Sequence, residues 1–352
     1  MKYFQRTLPL LLPFLHISPA VADYESNAEQ AIKTLQDRWY DTNTGLWNRL
    51  WWQSGNMVST IALFGQHDEH FKPTAINIVA NTFAKGASGN GGSWLNDYYD
   101  DEGWWALGWI DSFDLTGDRK YLDAAKSIFE DMTGGWTDSP CGGGIFWSKQ
   151  RQNLAAIANE LFLSIAAHLA NRSQGQERQN YINWAKREWE WFYHSGVING
   201  QNTINDGVDF KTCKNDGKTV YTYNQGVILG GLAELARATG DGEHIKNAKK
   251  IADGALAHLT QDGGILTEIP VRLDEQGAQF KGVFVRGLAK LYPQAPEGRY
   301  ATFLKKNADT MWSKNRANDG VLGARWQGPV QDAGTTSHAA GVDLLVAVAK
   351  VA

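Results

Sequence analysis

The sequence predicts an all-α protein built as a closed ring of six helical hairpins, and three observations lead to that class. Apolar residues recur at three- and four-residue steps over about twelve segments, strand-like alternation is rare, and a hairpin motif repeats. The segments fall near 25–39, 53–66, 69–86, 102–116, 118–134, 150–171, 178–195, 220–239, 243–259, 278–292, 297–315 and 335–351. In one, Leu154, Ile157, Ala158, Leu161, Phe162, Ile165 and Leu169 share a face. In another, Ile245, Ala248, Ala252, Ala255 and Leu259 do so, with Lys246, Lys249 and Lys250 largely away from it. Thr116-Gly117-Asp118 precedes Tyr121-Leu122 and Ala125, and Thr239-Gly240-Asp241 precedes His244-Ile245 and Ala248. A shorter echo is Tyr181-Ile182 with Ala185. Glycine suits the left-handed end of one helix and aspartate the cap of the next, so the unit is a helical hairpin.

Six hairpins bury every apolar face when six inner helices are wrapped by six outer ones. The stretch 150–171, apolar and rich in small residues, reads as inner. The stretch 178–195, with Lys186, Arg187, Glu188 and Glu190, reads as outer. Glycine-rich loops at 87–103, 134–149, 196–219 and 261–277 precede apolar helices, and gathered at one end of the ring they would build a cleft. An open helical solenoid is the alternative.

The chain has 352 residues, 43% hydrophobic, enough for a full core. The formal net charge of −4 offers no polyanion-binding surface, which argues against nucleic acid as a partner. Tryptophan is abundant, 15 residues, many beside Gly, Asn and Asp. Trp51-Trp52, Trp94, Trp104-Trp105, Trp136 and Trp147 fit either a Trp-rich core or a sugar-binding cleft, where indole stacks on the apolar face of a pyranose.

Met1 to Ala22 reads as a secretory signal peptide: Lys2 and Arg6, an apolar stretch from Leu8 to Ile17, then Ala20-Val21-Ala22 as cleavage site. A mature single domain over 23–352 is expected, secreted, monomeric and without a membrane anchor; the apolar 341–352 stretch carries Asp343 and Lys350 and lacks the features of a lipid-anchor signal. Cys141 and Cys213 form one disulfide in an oxidising compartment or stand as two separate thiols. The eight histidines are scattered, so no metal site is expected. Asn171-Arg172-Ser173 is a glycosylation sequon.

The densest segment runs Gly91-Gly92-Ser93-Trp94-Leu95-Asn96-Asp97-Tyr98-Tyr99-Asp100-Asp101-Glu102-Gly103-Trp104-Trp105. An Asp before a helix is often only a cap. Capping needs one side chain, however, and here two stand among aromatics. Glycoside hydrolysis needs two carboxyl groups, one to protonate the leaving oxygen and one to attack the anomeric carbon or activate water. Close carboxylates do not both ionise easily, so one is held as the acid. Adjacency does not decide between retention and inversion.

At these residues the sequence resembles glycoside hydrolase family 76, the α-1,6-mannanases. The run Asn96 to Asp101 followed by Trp104-Trp105-Ala106-Leu107 is similar to the family signature. So are Tyr40-Asp41 with Gly45-Leu46-Trp47, Trp51-Trp52 with Gly55-Asn56, and Gly142-Gly143-Gly144-Ile145-Phe146-Trp147-Ser148 leading to Ala156 through Phe162. Tyr221-Thr222-Tyr223-Asn224-Gln225-Gly226 and Phe280 through Arg286 complete the set. The resemblance implies an (α/α)6 barrel, endo-hydrolysis of α-1,6-mannan with retention, and no metal or organic cofactor. It implies Asp100 as nucleophile and Asp101 as general acid/base. Fungal relatives are linked to transfer onto cell-wall polymers, so a transglycosidase is the first rival. A non-catalytic mannan-binding protein and a helical-ring isomerase or lyase are the others.

Further polar residues are substrate-binding candidates, each with a structural alternative. Asn159 and Glu160 bind mannose hydroxyls or form a satisfied buried network. Tyr223, Asn224 and Gln225 line the cleft or cap a helix. Trp147 stacks on sugar or packs under its loop, and Arg286 is a cleft donor or a structural ion pair. Asp97 orients the acid pair or caps the loop. Asn96, Tyr99, Trp104 and Asp206 complete the expected binding set.

Overall fold

The fold is known from a computed structural model, which describes residues 23–268 and 274–352. The leader Met1–Ala22 lies outside the described residues. Twelve helices occupy the described chain: α1 (Tyr24–Trp39), α2 (Trp51–His67), α3 (Lys72–Lys85), α4 (Tyr99–Thr116), α5 (Arg119–Thr133), α6 (Ala156–Ala170), α7 (Gly175–His194), α8 (Thr222–Thr239), α9 (Glu243–His258), α10 (Phe280–Leu291), α11 (Gly298–Lys314) and α12 (Thr335–Val351). The even-numbered helices pack each on the next, and α12 returns to α2, closing the ring. The odd-numbered helices lie outside, α3 on α2, α5 on α4, α7 on α6, α9 on α8, with α11 and α1 on α12. The architecture is the expected (α/α)6 barrel.

The two layers differ as their sequences require. Every residue of α6 is buried, whereas α5 buries one stripe, Tyr121, Leu122, Ala125, Ile128, Phe129 and Met132. A helix apolar all round must be covered all round, and a striped one needs cover on one side only. Close inner packing sets local sequence too: a Cβ on Gly287 of α10 would fall 1.9 Å from the Gly226 carbonyl of α8. The hairpin signal also holds. Gly117 ends α4 at φ +72°, and Asp118 caps α5 by accepting from Lys120 N at 3.1 Å.

Two boundaries beside the cleft differ from expectation. α6 begins at Ala156, not near 150, because Leu154–Ala155 (β1) pairs with Gly207–Asp209 (β2), which pairs with Lys214–Asn215 (β3). α4 begins three residues early, at Tyr99, so Asp100 and Asp101 stand in its first turn rather than in a loop.

One device recurs around the ring: the fourth residue of an inner helix holds the loop that precedes it. In α2, Ser54 Oγ accepts from Trp47 N at 3.2 Å. In α4, Glu102 Oε2 accepts from Asn96 N at 2.8 Å. In α6, Asn159 bonds both Ile145 N (2.7 Å) and Ile145 O (3.0 Å). In α8, Gln225 does the same with Ile204 N (2.8 Å) and Ile204 O (2.9 Å). In α12, His338 Nδ1 accepts from Leu322 N at 3.0 Å. Each satisfies backbone groups that a buried loop cannot leave open.

Candidate active site

The inner helices start at one end of the ring, and a cleft of about 810 Å³ opens there. First turns supply much of its wall: Trp52 from α2, Asp100 and Asp101 from α4, Ile157 from α6, Tyr223 from α8 and Phe280 from α10. Trp52 stacks on Trp104 with centroids 6.1 Å apart, and Tyr223 on Phe280 at 4.0 Å. Trp147 and the β2–β3 hairpin, with Val208, Phe210 and Lys211, supply more of the wall. Aromatic faces and polar edges together suit a ring with hydroxyls on its rim.

The glycine run before Trp147 is shaped by a ring from α7. Gly144 has φ +94°, and a Cβ there would lie 2.6 Å from Trp191 Cη2. The Trp191 indole N–H donates to Cys141 O at 3.0 Å, and Cys141 is disulfide-bonded to Cys213 with Cα atoms 5.1 Å apart. The bond thus joins the two loops that form this wall.

Asp100 and Asp101 are half-buried and differ in surroundings. Burial pushes Asp100 up to about 6, with the charge of Asp206 adding to the rise. The Trp147 side chain and the backbone N–H groups of Asp100 and Asp101 act the other way and hold it from rising further. Those N–H groups belong to the first helical turn, where free donors and the helix dipole favour an anion. Asp101 goes higher, to about 8, raised by burial and by the charge of Asp100. Near neutrality the pair therefore holds one proton, and the environment favours it on Asp101. Such a pair can attack with one carboxylate and protonate with the other.

Several expected site residues join the cleft. Trp104, Trp147, Asp206 and Tyr223 line it with the acid pair. Glu160 and Asn224 lie beneath it, fully buried, and neither the Glu160 oxygens nor the Asn224 amide atoms have a partner. Glu160 is close enough to act on the Tyr223 phenol together with Asp100 and Asp206. Burial holds Glu160 well above the usual carboxylate range.

Six others do not line the cleft. Arg286 sits six residues below Phe280, roughly 9 Å down α10. There it donates to Asp343 Oδ1 at 3.0 Å, to Thr60 Oγ1 at 3.2 Å and to Asn56, a buried ion pair in the barrel interior. Asn159 and Gln225 spend their amides on loop backbone, with further bonds to Ala155 O and Tyr221 O, both at 2.8 Å. Tyr99 is 4% exposed and turned away, its ring 2.7 Å from where a Cβ on Gly135 would stand. Asn96 orders its own loop, its Oδ1 accepting from Tyr98 N at 2.9 Å. Asp97 is exposed and meets the opposite loop through its carbonyl, which accepts from Lys149 N at 2.9 Å. Asn171 is half-buried, and its Nδ2 donates to Ala167 O, Glu234 O and Glu234 Oε2, so a glycan there would take one of the two N–H groups that make these bonds.

Tyr221, Phe280, Phe210, Gln152 and Asn153 are cleft residues outside the expected binding set, and Trp52, which the sequence left open between core and sugar cleft, lines the cleft too. A signal existed for two of these: Phe280 opens a predicted inner helix, and Trp52 stands just before one, as Asp100 does. The charged rim residues Asp209, Lys211, Asp216, Lys218 and Asp274 carry no such pattern. Of the predicted glycine-rich loops, 87–98 contributes no lining; its Trp94 packs between Trp51, Trp105 and Trp109 instead. No group of three or more potential metal-ligating side chains is found among the described residues, and no described helix is long and apolar enough to cross a membrane.

Comparison with known proteins bears on this arrangement. A protein of Saccharomyces cerevisiae named mannan endo-1,6-alpha-mannosidase DFG5 is 30% identical over 256 residues, covering 66% of this chain and 55% of its own length. The chain thus spans about half of that relative, and a third of a Candida albicans relative named mannan endo-1,6-alpha-mannosidase DCW1, 29% identical over 42% of this chain. The fold matches an inactive variant of an α-1,6-mannanase of Salegentibacter sp., solved with α-1,6-mannotetrose, with TM-score 0.82 and 24% identity over 94% of this chain and 100% of that one. It also matches Dfg5 of Chaetomium thermophilum, solved with glucosamine, with TM-score 0.79 and 19% identity over 96% and 92% of the two chains. Residues 22–349, nearly the whole chain, match the profile of glycosyl hydrolase family 76, and the protein belongs to that family.

Proposed function

We propose that this protein is a secreted, monomeric mannan endo-1,6-α-mannosidase that works with retention. The observation that carries the reading is the split within the acid pair, Asp100 at about 6 beside Asp101 at about 8. In the first step an Asp100 oxygen bonds to the anomeric carbon while the glycosidic C–O bond breaks and Asp101 gives its proton to the departing oxygen. In the second, water adds to the anomeric carbon, Asp101 takes its proton, and the bond to Asp100 breaks. Trp52, Trp104, Tyr223 and Phe280 offer aromatic surface to sugar rings along the cleft. The names of the relatives and the mannotetrose held by the Salegentibacter enzyme support α-1,6-linked mannose as substrate.

The test is digestion of linear α-1,6-mannan by the purified protein. A ladder of oligosaccharides whose new reducing ends first appear as the α-anomer is expected. Release of mannose alone would overturn endo action, and a β-anomer would overturn retention. Export is tested by the N-terminus of secreted protein, expected at Asp23. That residue caps α1 by accepting from Ser26 N at 2.9 Å, so cleavage after Ala22 leaves the cap whole.

A further inference from the structure

The loop clamp at α4 differs from its counterparts. Ser54, Asn159, Gln225 and His338 are clamps without charge, His338 being held neutral by burial, its pKa down to about 4. Glu102 is a carboxyl, fully buried, and it faces a second carboxyl, Asp131 of α5. Burial together with Asp131 pushes Glu102 up to about 9. Asp131 is in turn met by Lys149, whose Nζ lies 2.8 Å from Asp131 Oδ2.

Lys149 stands two residues after Trp147. Its own N–H donates to Asp97 O at 2.9 Å, while Tyr99 N donates to Trp147 O at 2.9 Å. The Tyr98 ring lies against the Trp147 indole, centroids 4.7 Å apart. The segment carrying Trp147 is therefore tied to the start of α4 by backbone on both sides and by one ion pair behind. We propose that Glu102, Asp131 and Lys149 form a latch that positions Trp147 against the Asp100 carboxylate. In this inference, which rests on the function proposed above, Lys149 is a positioning residue for the reacting group. The charged and titratable groups around the latch are Glu102 and Tyr99 of α4, Asp131 of α5, and Lys149 and Arg151 of the loop. Those facing Asp100 are Asp101, Asp206 and Tyr223.

The experiment compares Lys149→Met, Lys149→Arg, Glu102→Gln and Glu102→Leu in kcat, KM, the pH profile of kcat and thermal unfolding. Release of Trp147 takes away the side chain that holds Asp100 down, so in Lys149→Met the acid limb moves up by about one pH unit. With it kcat falls about tenfold, the scale of a small misplacement, and KM stays within about twofold. Lys149→Arg restores both. Glu102→Gln, which still accepts from Asn96 and donates to Asp131, keeps the wild-type profile, while Glu102→Leu behaves like Lys149→Met. An unmoved acid limb in Lys149→Met or in Glu102→Leu overturns the latch, whatever happens to rate or melting temperature. If Lys149→Met does not fold, Asp131→Asn breaks the same ion pair and carries the test. If the wild type does not cleave mannan, the proposed function fails. The latch is then read from the Asp100 carboxylate band in infrared difference spectra, identified by its loss in Asp100→Asn. That band should titrate higher in Lys149→Met than in wild type, and equal titration overturns the proposal.

Discussion

Trp147 shares the cleft wall with Asp100 and holds its carboxyl down, whereas Asp101 is raised by burial and by the charge of Asp100 alone. One aromatic side chain and one helical turn thereby separate two neighbouring carboxyls. The competent state has Asp100 ionised and Asp101 protonated. Activity therefore rises as pH passes about 6 and falls as it passes about 8, values that belong to the pair rather than to either group alone. Trp147→Phe keeps an aromatic face and removes the N–H, so its acid limb moves up and the bell narrows. A profile of kcat against pH checks both statements.

Asp100→Asn and Asp101→Asn each lower kcat on mannan by about a thousandfold or more, as loss of a nucleophile or a general acid does. Stability does not follow. Asp100 Oδ1 is buried without a partner, and Asp101 is held against its preferred charge. Melting temperatures therefore stay level or rise in both variants, in line with the usual tension between stability and activity. Calorimetry beside a rate assay separates the two effects.

Arg286 belongs to the barrel, so its loss is read in stability. Arg286→Met leaves Asp343 buried and uncompensated and costs about 3–5 kcal/mol. Pairing it with Asp343→Leu removes the stranded charge and recovers most of the loss. Denaturant titration of the two single variants and the double variant measures the coupling. A cleft role for Arg286 would instead raise KM with little change in unfolding midpoint.

The ring was legible in the sequence because its outer helices are striped and its hairpins are punctuated. Tyr121, Leu122, Ala125 and Ile128 follow Gly117-Asp118 at helical spacing, and the structure places each where that spacing requires. The inner helices hid their own geometry. In α6 every residue is buried, so periodicity cannot tell which side of Asn159-Glu160 meets a loop and which meets the space under the cleft. A one-residue step turns a helical side chain by about 100°, and this sends Asn159 to Ile145 and Glu160 beneath Tyr223. Gln225 and Arg286 were obscured in the same way. Tryptophan composition was ambiguous because it serves both purposes: Trp47, Trp105, Trp109 and Trp326 are wholly buried, while Trp52, Trp104 and Trp147 line the cleft.

Glu188 on α7 is fully buried with neither carboxylate oxygen partnered, and burial holds it well above its ordinary value of 4.5. A pKa raised on folding means that its contribution to stability is complete below about 4.5 and is lost as pH rises towards the folded value. At pH 7 the group weakens the fold relative to a neutral isostere. Glu188→Gln should raise the melting temperature at pH 7 to 8 and leave it nearly unchanged at pH 4. Glu160, in the same condition beneath the cleft, adds to the same slope. Melting curves across that range test the sign directly.

The disulfide carries both stability and the shape of the cleft. Cys141 belongs to the loop that leads to Trp147, and Cys213 to the hairpin whose Phe210 and Lys211 face the cleft. The hairpin is otherwise held by three short strands and by Phe146, whose ring meets Phe210 at 5.1 Å. With the cysteines 72 positions apart in the sequence, loop-closure entropy alone gives about 4 kcal/mol. Cys141→Ser with Cys213→Ser should lower the melting temperature accordingly. The acid pair stands on α4 and does not depend on the hairpin, so the chemical step should keep most of its rate. Substrate contacts along the wall are loosened, and KM for long mannan chains should rise severalfold more than kcat falls. Treatment of the wild type with a reductant should reproduce the kinetic pattern, and reoxidation should reverse it. Equal losses in kcat and KM would mean that the hairpin wall also supports the reacting end of the cleft.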